Sequence, residues 1–340
     1  MSKITYPLND VPAPGKAVQV VDGILWLRLS LPMALDHVNI YALDDGDGWT
    51  LIDTGMKWGK VPAMWDTLLA GPLAGKPVKR VICTHHHPDH IGFNGWFMEQ
   101  GAELLATRTA YLMSRMLLLD VQEAYTEEQV DFYRRAGMRE DLVQARINDR
   151  PFNFSDIAHQ IPLGFTGLVE DQVLHMAGRD WTVRIGNGHA PGHATLWCDD
   201  IVITGDQIIP SISSNIGVYP TEPDANPLAE WLESCERLQQ FATEDQLALP
   251  GHKTPFYGLP LRLKQLIENH HGALKRMRKE LVEPMTATDL FMPIFKRNIG
   301  DGEYSHALVE ALAHCNYLWH AGEVTRELDD KGRYLWRIVA

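Results

Sequence analysis

The chemically conspicuous residues lie between Thr84 and His90, where Thr-His-His-His-Pro-Asp-His places four histidines within six positions of a 340-residue chain that has 15. Imidazole and carboxylate are natural protein ligands of zinc, manganese and iron. The run follows Val-Lys-Arg-Val-Ile-Cys at 78–83, which reads as a buried strand. A loop leaving such a strand lets His85 and His87 converge, while Asp89 and His90 project where the chain turns into the next helix. Three further candidates each end an expected strand: His189 in Asn-Gly-His-Ala-Pro-Gly-His, Asp206 in Ile-Thr-Gly-Asp, and His252 in Leu-Pro-Gly-His. Five histidines and two carboxylates can thus meet at one sheet edge, where the loops of an α/β fold gather functional groups. The bland account of the 85–90 run is a solvated histidine-rich loop, and the other strand-end motifs weigh against it. An aspartate after the buried-type run Ile-Val-Ile-Thr-Gly is costly unless paired or metal-bound. The four cysteines, Cys83, Cys198, Cys235 and Cys315, include no C-x-x-C pair, so nitrogen and oxygen must hold any metal.

The elements that position these residues alternate in type. Residues 18–29 and 39–53 read as two hairpins, turning at Asp22-Gly23 and at Gly46-Asp47-Gly48. A helix near 61–69, the strand at 78–83, a helix near 92–100 and a strand at 102–107 follow. From about 107 to 161 the sequence turns Met- and Leu-rich and helical, which predicts an insertion. Its apolar residues around Met113, Met116 and Leu117 suit either a pocket wall or plain helix packing, and packing is the expectation. Strands resume at 181–186, 195–198 and 201–204, then a helix at 227–241 and a strand at 246–250. The pattern predicts an α/β (α+β) fold over 1–260. Helices at 259–280, near 287–296 and at 305–321, and a hairpin closing on Arg-Tyr-Leu-Trp-Arg-Ile-Val, predict a small C-terminal helical unit with a β-wing over 261–340.

Composition narrows the partners. Lys and Arg number 31 against 44 Asp and Glu, giving a net charge of −13. Such a field opposes nucleic acid, so no nucleic-acid partner is expected. The basic residues Arg262, Lys264, Lys275, Arg276, Arg278 and Lys279 on one helix read as a solvated face. No apolar run suits a signal peptide or a bilayer span, so a cytoplasmic protein without membrane contact is expected.

In order along the chain, H-x-H-x-D-H (85–90), G-H-x-x-G-H (188–193), T-G-D (204–206) and P-G-H (250–252), preceded by Leu51-Ile52-Asp53-Thr54-Gly55, resemble the metallo-β-lactamase-fold hydrolase superfamily, particularly its glyoxalase-II-like and lactonase-like branches. The likeness covers roughly 18–260, and the C-terminal unit resembles the winged-helix-like tail of some members. It implies a four-layer αβ/βα sandwich. It also implies two divalent metal ions, one bound by His85, His87 and His189, a second by Asp89, His90 and His252, with Asp206 bridging them. Asp53 and His193 match positions that support the ligands without binding metal, His193 being the alternative to His189, and His86 matches a variable position that points away. Zinc is expected, with iron and manganese compatible. The implied activity is hydrolysis of an ester-type carbonyl, a thioester or lactone of a small organic acid, by a metal-bridging hydroxide that Asp89 orients. The alternatives are a phosphodiesterase or ribonuclease on the same metals, a mononuclear non-haem iron oxygenase acting on persulfides, and a non-enzymatic binding protein. Asn215 and Tyr219, in the stretch after Asp206, are expected to touch substrate, with simple turn structure as the competing account. The tail is expected beside the mouth of the site or at a homo-oligomer interface.

Overall fold

β-rich runs broken by glycine-bearing turns open the chain as a meander of β1 (Ala17–Val21), β2 (Ile24–Ser30), β3 (His37–Asp44) and β4 (Trp49–Ile52), paired antiparallel in sequence order. The structure, a computed structural model, describes residues 3–8 and 10–339. β5 (Val78–Ile82), β6 (Glu103–Thr107) and β7 (Thr166–Leu168) extend this sheet in parallel, to seven strands. A second sheet holds β8 (Val173–Met176), β9 (Arg179–Gly186), β10 (His193–Trp197), β11 (Ile201–Gly205) and β12 (Leu247–Pro250), with only the β11–β12 pair parallel.

Alternation within each strand sorts side chains onto two cores. Trp26, Tyr41, Ile52 and Ile82 of the first sheet pack with Met176, Trp181, Leu196 and Leu249 of the second, so the sheets share an apolar layer. Their neighbours Leu27, Leu29, Val38 and Leu51 face outward. There they meet Val61, Trp65 and Leu68 of α1 (Val61–Ala70) and Phe97 of α3 (Asn94–Glu99). Each large side chain so buried contributes about 1.5–3 kcal/mol. This is the expected αβ/βα sandwich. Strands β4, β5, β9, β11 and β12 release their carboxyl ends into the loops that carry the candidate ligands.

The sequence reading missed two strands. β7 has three residues and only Leu168 buried, so no apolar run announces it. The β8–β9 turn uses Ala177 and Gly178, both at positive φ, in place of the Asn-Gly that would signal such a hairpin. The helix expected near 92–100 is α3, and a separate short helix, α2 (Pro88–Ile91), precedes it. Between them Gly92 presses on the backbone of Gly55, where a Cβ would lie 2.2 Å from the carbonyl oxygen. The helix expected near 287–296 shrinks to α9 (Phe291–Phe295), because Asp289 accepts from the Thr286 amide and hydroxyl in a local turn.

By packing, the chain divides into two interleaved units. The first runs to Val121, resumes over Asn153–Ser214 and again over Leu238–Leu263, and contains both sheets. In it, α4 (Arg108–Leu119) is capped by Thr107 and buries Ala110, Tyr111, Ser114 and Leu118, leaving Leu112 and Met116 exposed. The second unit comprises Gln122–Phe152, Asn215–Arg237 and the chain from Lys264. Its helices include α5 (Glu127–Arg135) and α6 (Glu140–Asn148), then most of α7 (Pro227–Gln239) and of α8 (Leu259–Glu280), α9, and α10 (Tyr304–His320). The predicted C-terminal hairpin is β13 (Val324–Leu328) with β14 (Tyr334–Ile338). Arg326 fastens it, lying over the rings of Trp319 and Tyr334 while pairing with Asp224 at 2.7 Å.

Candidate metal centre

Asp53 follows β4 directly at φ 62°, in the left-handed region that aspartate enters more readily than most residues. From there its carboxylate accepts the Thr84 amide and hydroxyl, each at 2.8 Å, and lies 2.7 Å from His90 Nδ1. Because the Thr84 hydroxyl donates to Asp53, its oxygen is left to accept from His85 Nδ1 at 2.9 Å. On the far side, the carbonyl of His37 accepts from His252 Nδ1 at 2.7 Å. Three imidazoles thus spend their Nδ1 protons on the fold, so each turns Nε2 to the cluster as the nitrogen a metal would take, the arrangement that metal-bound histidines require.

Those nitrogens converge with the rings of His189 and His87. His252 Nε2 is 3.2 Å from Asp206 Oδ2 and 3.3 Å from Asp89 Oδ2. His90 Nε2 is 3.5 and 3.6 Å from the same two carboxylates, and His189 Nε2 is 3.5 Å from Asp206. His85 Nε2 lies 3.1 Å from His87 Nδ1. The side chains form three overlapping groups able to hold a cation: His85 with His87 and His189; His85 with His90 and Asp206; Asp89 with His90 and His252. His85 and His90 are fully buried, and Asp89 is the most open carboxylate, its side chain 17% exposed. Buried His90 Nε2 and Asp206 Oδ1 have no hydrogen-bond partner, which is costly for a fold with nothing to bind and fits a metal centre.

The field inside the cluster is steep. Burial, reinforced by the neighbouring imidazoles, pushes His85 and His87 well below the usual histidine range. Burial also opposes charge on His252, but Asp206 and Asp89 override it and lift the ring to about 10. His90 is likewise raised against burial by Asp89, Asp206 and Asp53. Asp206 is drawn down in turn by His252 and His90, again against burial. Carboxylates that hold imidazolium here would hold a metal cation by the same attraction.

Close approach explains the Pro-Gly-His turn. A Cβ on Gly251 would lie 2.2 Å from Asp206 Oδ1 and 3.0 Å from His90 Cε1, so only glycine lets this turn reach the cluster. Asn39 pins the same turn, its Nδ2 donating to the carbonyls of Pro250 at 2.8 Å and Lys253 at 2.9 Å. Tyr41 donates to Pro250 as well, at 2.9 Å.

The structure brings His85, His87, Asp89, His90, His189, Asp206 and His252 together, with Asp53 behind His90. His193 stacks on His85 at 4.6 Å, and its Nε2 accepts the Asp206 amide at 3.0 Å, so that lone pair is already engaged. His86 belongs to none of the three groups, yet it is buried, with its ring 4.8 Å from that of His87. Asn215 and Tyr219 fall in the second unit, where Asn215 donates to the His306 carbonyl and to Glu310 Oε2. The sequence reading missed Thr84, His37 and Asn39. Thr84 is signalled by adjoining the histidine run, whereas His37 acts through a carbonyl that any residue could supply.

The profile of the metallo-beta-lactamase superfamily matches residues 33–252, and that of the metallo-beta-lactamase-like C-terminal domain matches 274–338. The chain is 24% identical over 285 residues to the probable metallo-hydrolase YqjP of Bacillus subtilis (strain 168), covering 81% of this chain and 85% of that one. Among solved structures, a beta-lactamase domain protein from Burkholderia ambifaria superposes with a TM-score of 0.90 at 33% identity, over 99% of this chain and 98% of that one. A metallo-beta-lactamase family protein from Thermus thermophilus gives 0.78 at 26% identity, over 94% and 100%. With its ordered motifs, its sandwich and its strand-end cluster, the chain belongs to the metallo-beta-lactamase superfamily.

Proposed function

We propose that the protein is a dinuclear metal-dependent hydrolase that cleaves an ester-type carbonyl compound, a thioester or lactone of a small organic acid. The observation that carries this reading is the convergence of imidazole Nε2 atoms, each ring fixed from behind by Thr84, Asp53 or the His37 carbonyl, on the carboxylates of Asp89 and Asp206. In this reading His85, His87 and His189 would hold one cation and Asp89, His90 and His252 a second, with Asp206 available to both. Zinc suits this donor set best, with iron and manganese compatible. When bound, such a pair lowers the pKa of water towards neutrality and stabilises charge on the attacked carbonyl. Asp89, the most open carboxylate, orients the attacking water, takes its proton and passes it to the leaving group.

The preference for acyl over phosphodiester substrates rests on charge. The net −13 opposes a polyanion, and the basic residues of α8 are largely engaged with the protein itself. Arg262 donates to the Ile209 and Ile212 carbonyls, Arg276 to Pro293 and Ile294, and Arg278 pairs with Glu323. Asn215 and Tyr219 as substrate contacts have weaker support, since the Asn215 amide is already committed. Purified protein offered acyl thioesters, lactones, bis(p-nitrophenyl) phosphate and RNA should turn over the acyl compounds. Phosphodiester turnover with none on the acyl substrates would reverse the assignment.

A further inference from the structure

We propose that His270, Glu310 and His314 form a separate metal site inside the second unit, taking one zinc-type divalent cation through two imidazoles and a carboxylate. Outside the strand-end cluster this is the one other group of three such side chains, among the described residues, whose candidate ligand atoms all lie within 4.8 Å of one another. His270 sits on α8, while Glu310 and His314 are four residues apart on α10 and so share a helix face.

The local hydrogen bonds prepare a ligand set. His314 Nδ1 donates to the Glu310 carbonyl, one turn back on its own helix, at 2.8 Å. That fixes the tautomer and leaves a lone pair on Nε2, which lies 3.2 Å from His270 Nδ1. Two nitrogens each about 2.0–2.1 Å from a tetrahedral zinc would be about 3.3 Å apart. Both rings are 1% exposed, and burial keeps them neutral, the metal-binding form. With no other hydrogen-bond partner at its buried Nε2, His270 is held through Nδ1 by the other imidazole, and metal at Nδ1 would leave its proton on Nε2. The partly buried Glu310 carboxylate is oriented by Asn215 at 3.0 Å and has no Lys or Arg in ion-pair reach among the described residues. Burial pushes the Glu310 carboxyl up to about 7, so a cation bound by all three side chains takes the place of a proton there and ties α8 to α10. Zinc sites of the two-histidine, one-carboxylate type commonly complete their coordination with water.

The test uses the full chain, stripped of metal, titrated with zinc alone and analysed for bound metal after equilibrium dialysis. The variant H270A/H314A should bind one zinc fewer per chain than the wild type. Glu310→Gln, which keeps the size of the side chain and an oxygen for Asn215, should weaken one zinc at least about tenfold, as first-sphere changes exceed the effect of outer ones. If the double variant fails to fold by circular dichroism, Glu310→Gln decides alone. Unchanged zinc number and affinities in the folded variants would overturn the proposal.

Discussion

The strand-end cluster and the helix-borne cluster assemble the same chemistry, imidazole with carboxylate, in opposite ways. The first draws side chains from five strand ends of two sheets, and residues distant in sequence fix them from behind: Asp53 for His90, and the His37 carbonyl for His252. The second needs two helices and one four-residue spacing, and its fixed tautomer comes from a carbonyl of the same helix. Convergence of strand ends gives many candidate ligands and a partly open carboxylate, Asp89. A pair of helix faces gives three ligands and a closed setting. The contrast suits chemistry to the first cluster and a staple to the second.

The sharpest way to break this comparison is His85→Ala. His85 is fully buried and belongs to two of the three overlapping groups, so its loss should empty most of the strand-end centre. Hydrolysis should fall by more than the roughly 10–100-fold typical of outer-sphere changes. The sandwich should persist, since the ring lies among polar groups, and zinc should remain bound at the helix-borne site. Metal analysis and acyl turnover on the same preparation check both halves, and retained turnover would discard the metal assignment.

A smaller effect is expected from Asp53→Asn. The amide can still accept from the Thr84 backbone, but its Oδ2 position can no longer serve both the Thr84 hydroxyl and His90 Nδ1 as a charged acceptor. Metal affinity should drop about 10–100-fold, with activity recovered at high zinc concentration. Activity that no amount of zinc restores would mean that Asp53 does more than position His90.

The two clusters also differ in how far the sequence announced them. Every proposed ligand of the first stood in a short motif at a predicted strand end, because a strand-to-loop junction imposes a local signature: glycine where the backbone must come close, as at Gly251, and ligands at alternate positions, as at His85 and His87. The sandwich was legible for a related reason, since apolar, β-rich runs bounded by turn residues marked every strand of the two sheets but β7 and β8. Glu310 and His314 carry only a four-residue helical spacing, which any surface helix shows, and His270 lies 40 positions upstream of Glu310 with nothing to link them. Asn39 and His37 were equally silent, one reading as an ordinary strand residue and the other acting through its backbone. Long-range partners without a local motif become visible only once packing has placed them.

The smallest expected effect concerns the brace beside the helix-borne cluster. Arg278 near the end of α8 makes two hydrogen bonds to Glu323 just beyond α10, at 2.5 and 2.8 Å, so the pair links the two helices that carry His270, Glu310 and His314. Their side chains are 37% and 34% exposed, so solvent screens the attraction, and Glu323→Gln should cost no more than about 1 kcal/mol. In a chain of this size that is about 2 °C or less in Tm. The hydrogen bond from Arg278, with its charge, holds the Glu323 carboxyl below the usual glutamate range. A lowered folded-state pKa stabilises the protein above the unfolded value, about 4.3, and that contribution disappears as pH falls through the folded-state value. The difference in Tm between wild type and Glu323→Gln should therefore be level from about pH 6 to 8 and close towards zero as the medium is acidified below about 4. A gap that widens on acidification would show that Glu323 is not braced as an anion, and that the helix pair depends on its metal ligands alone.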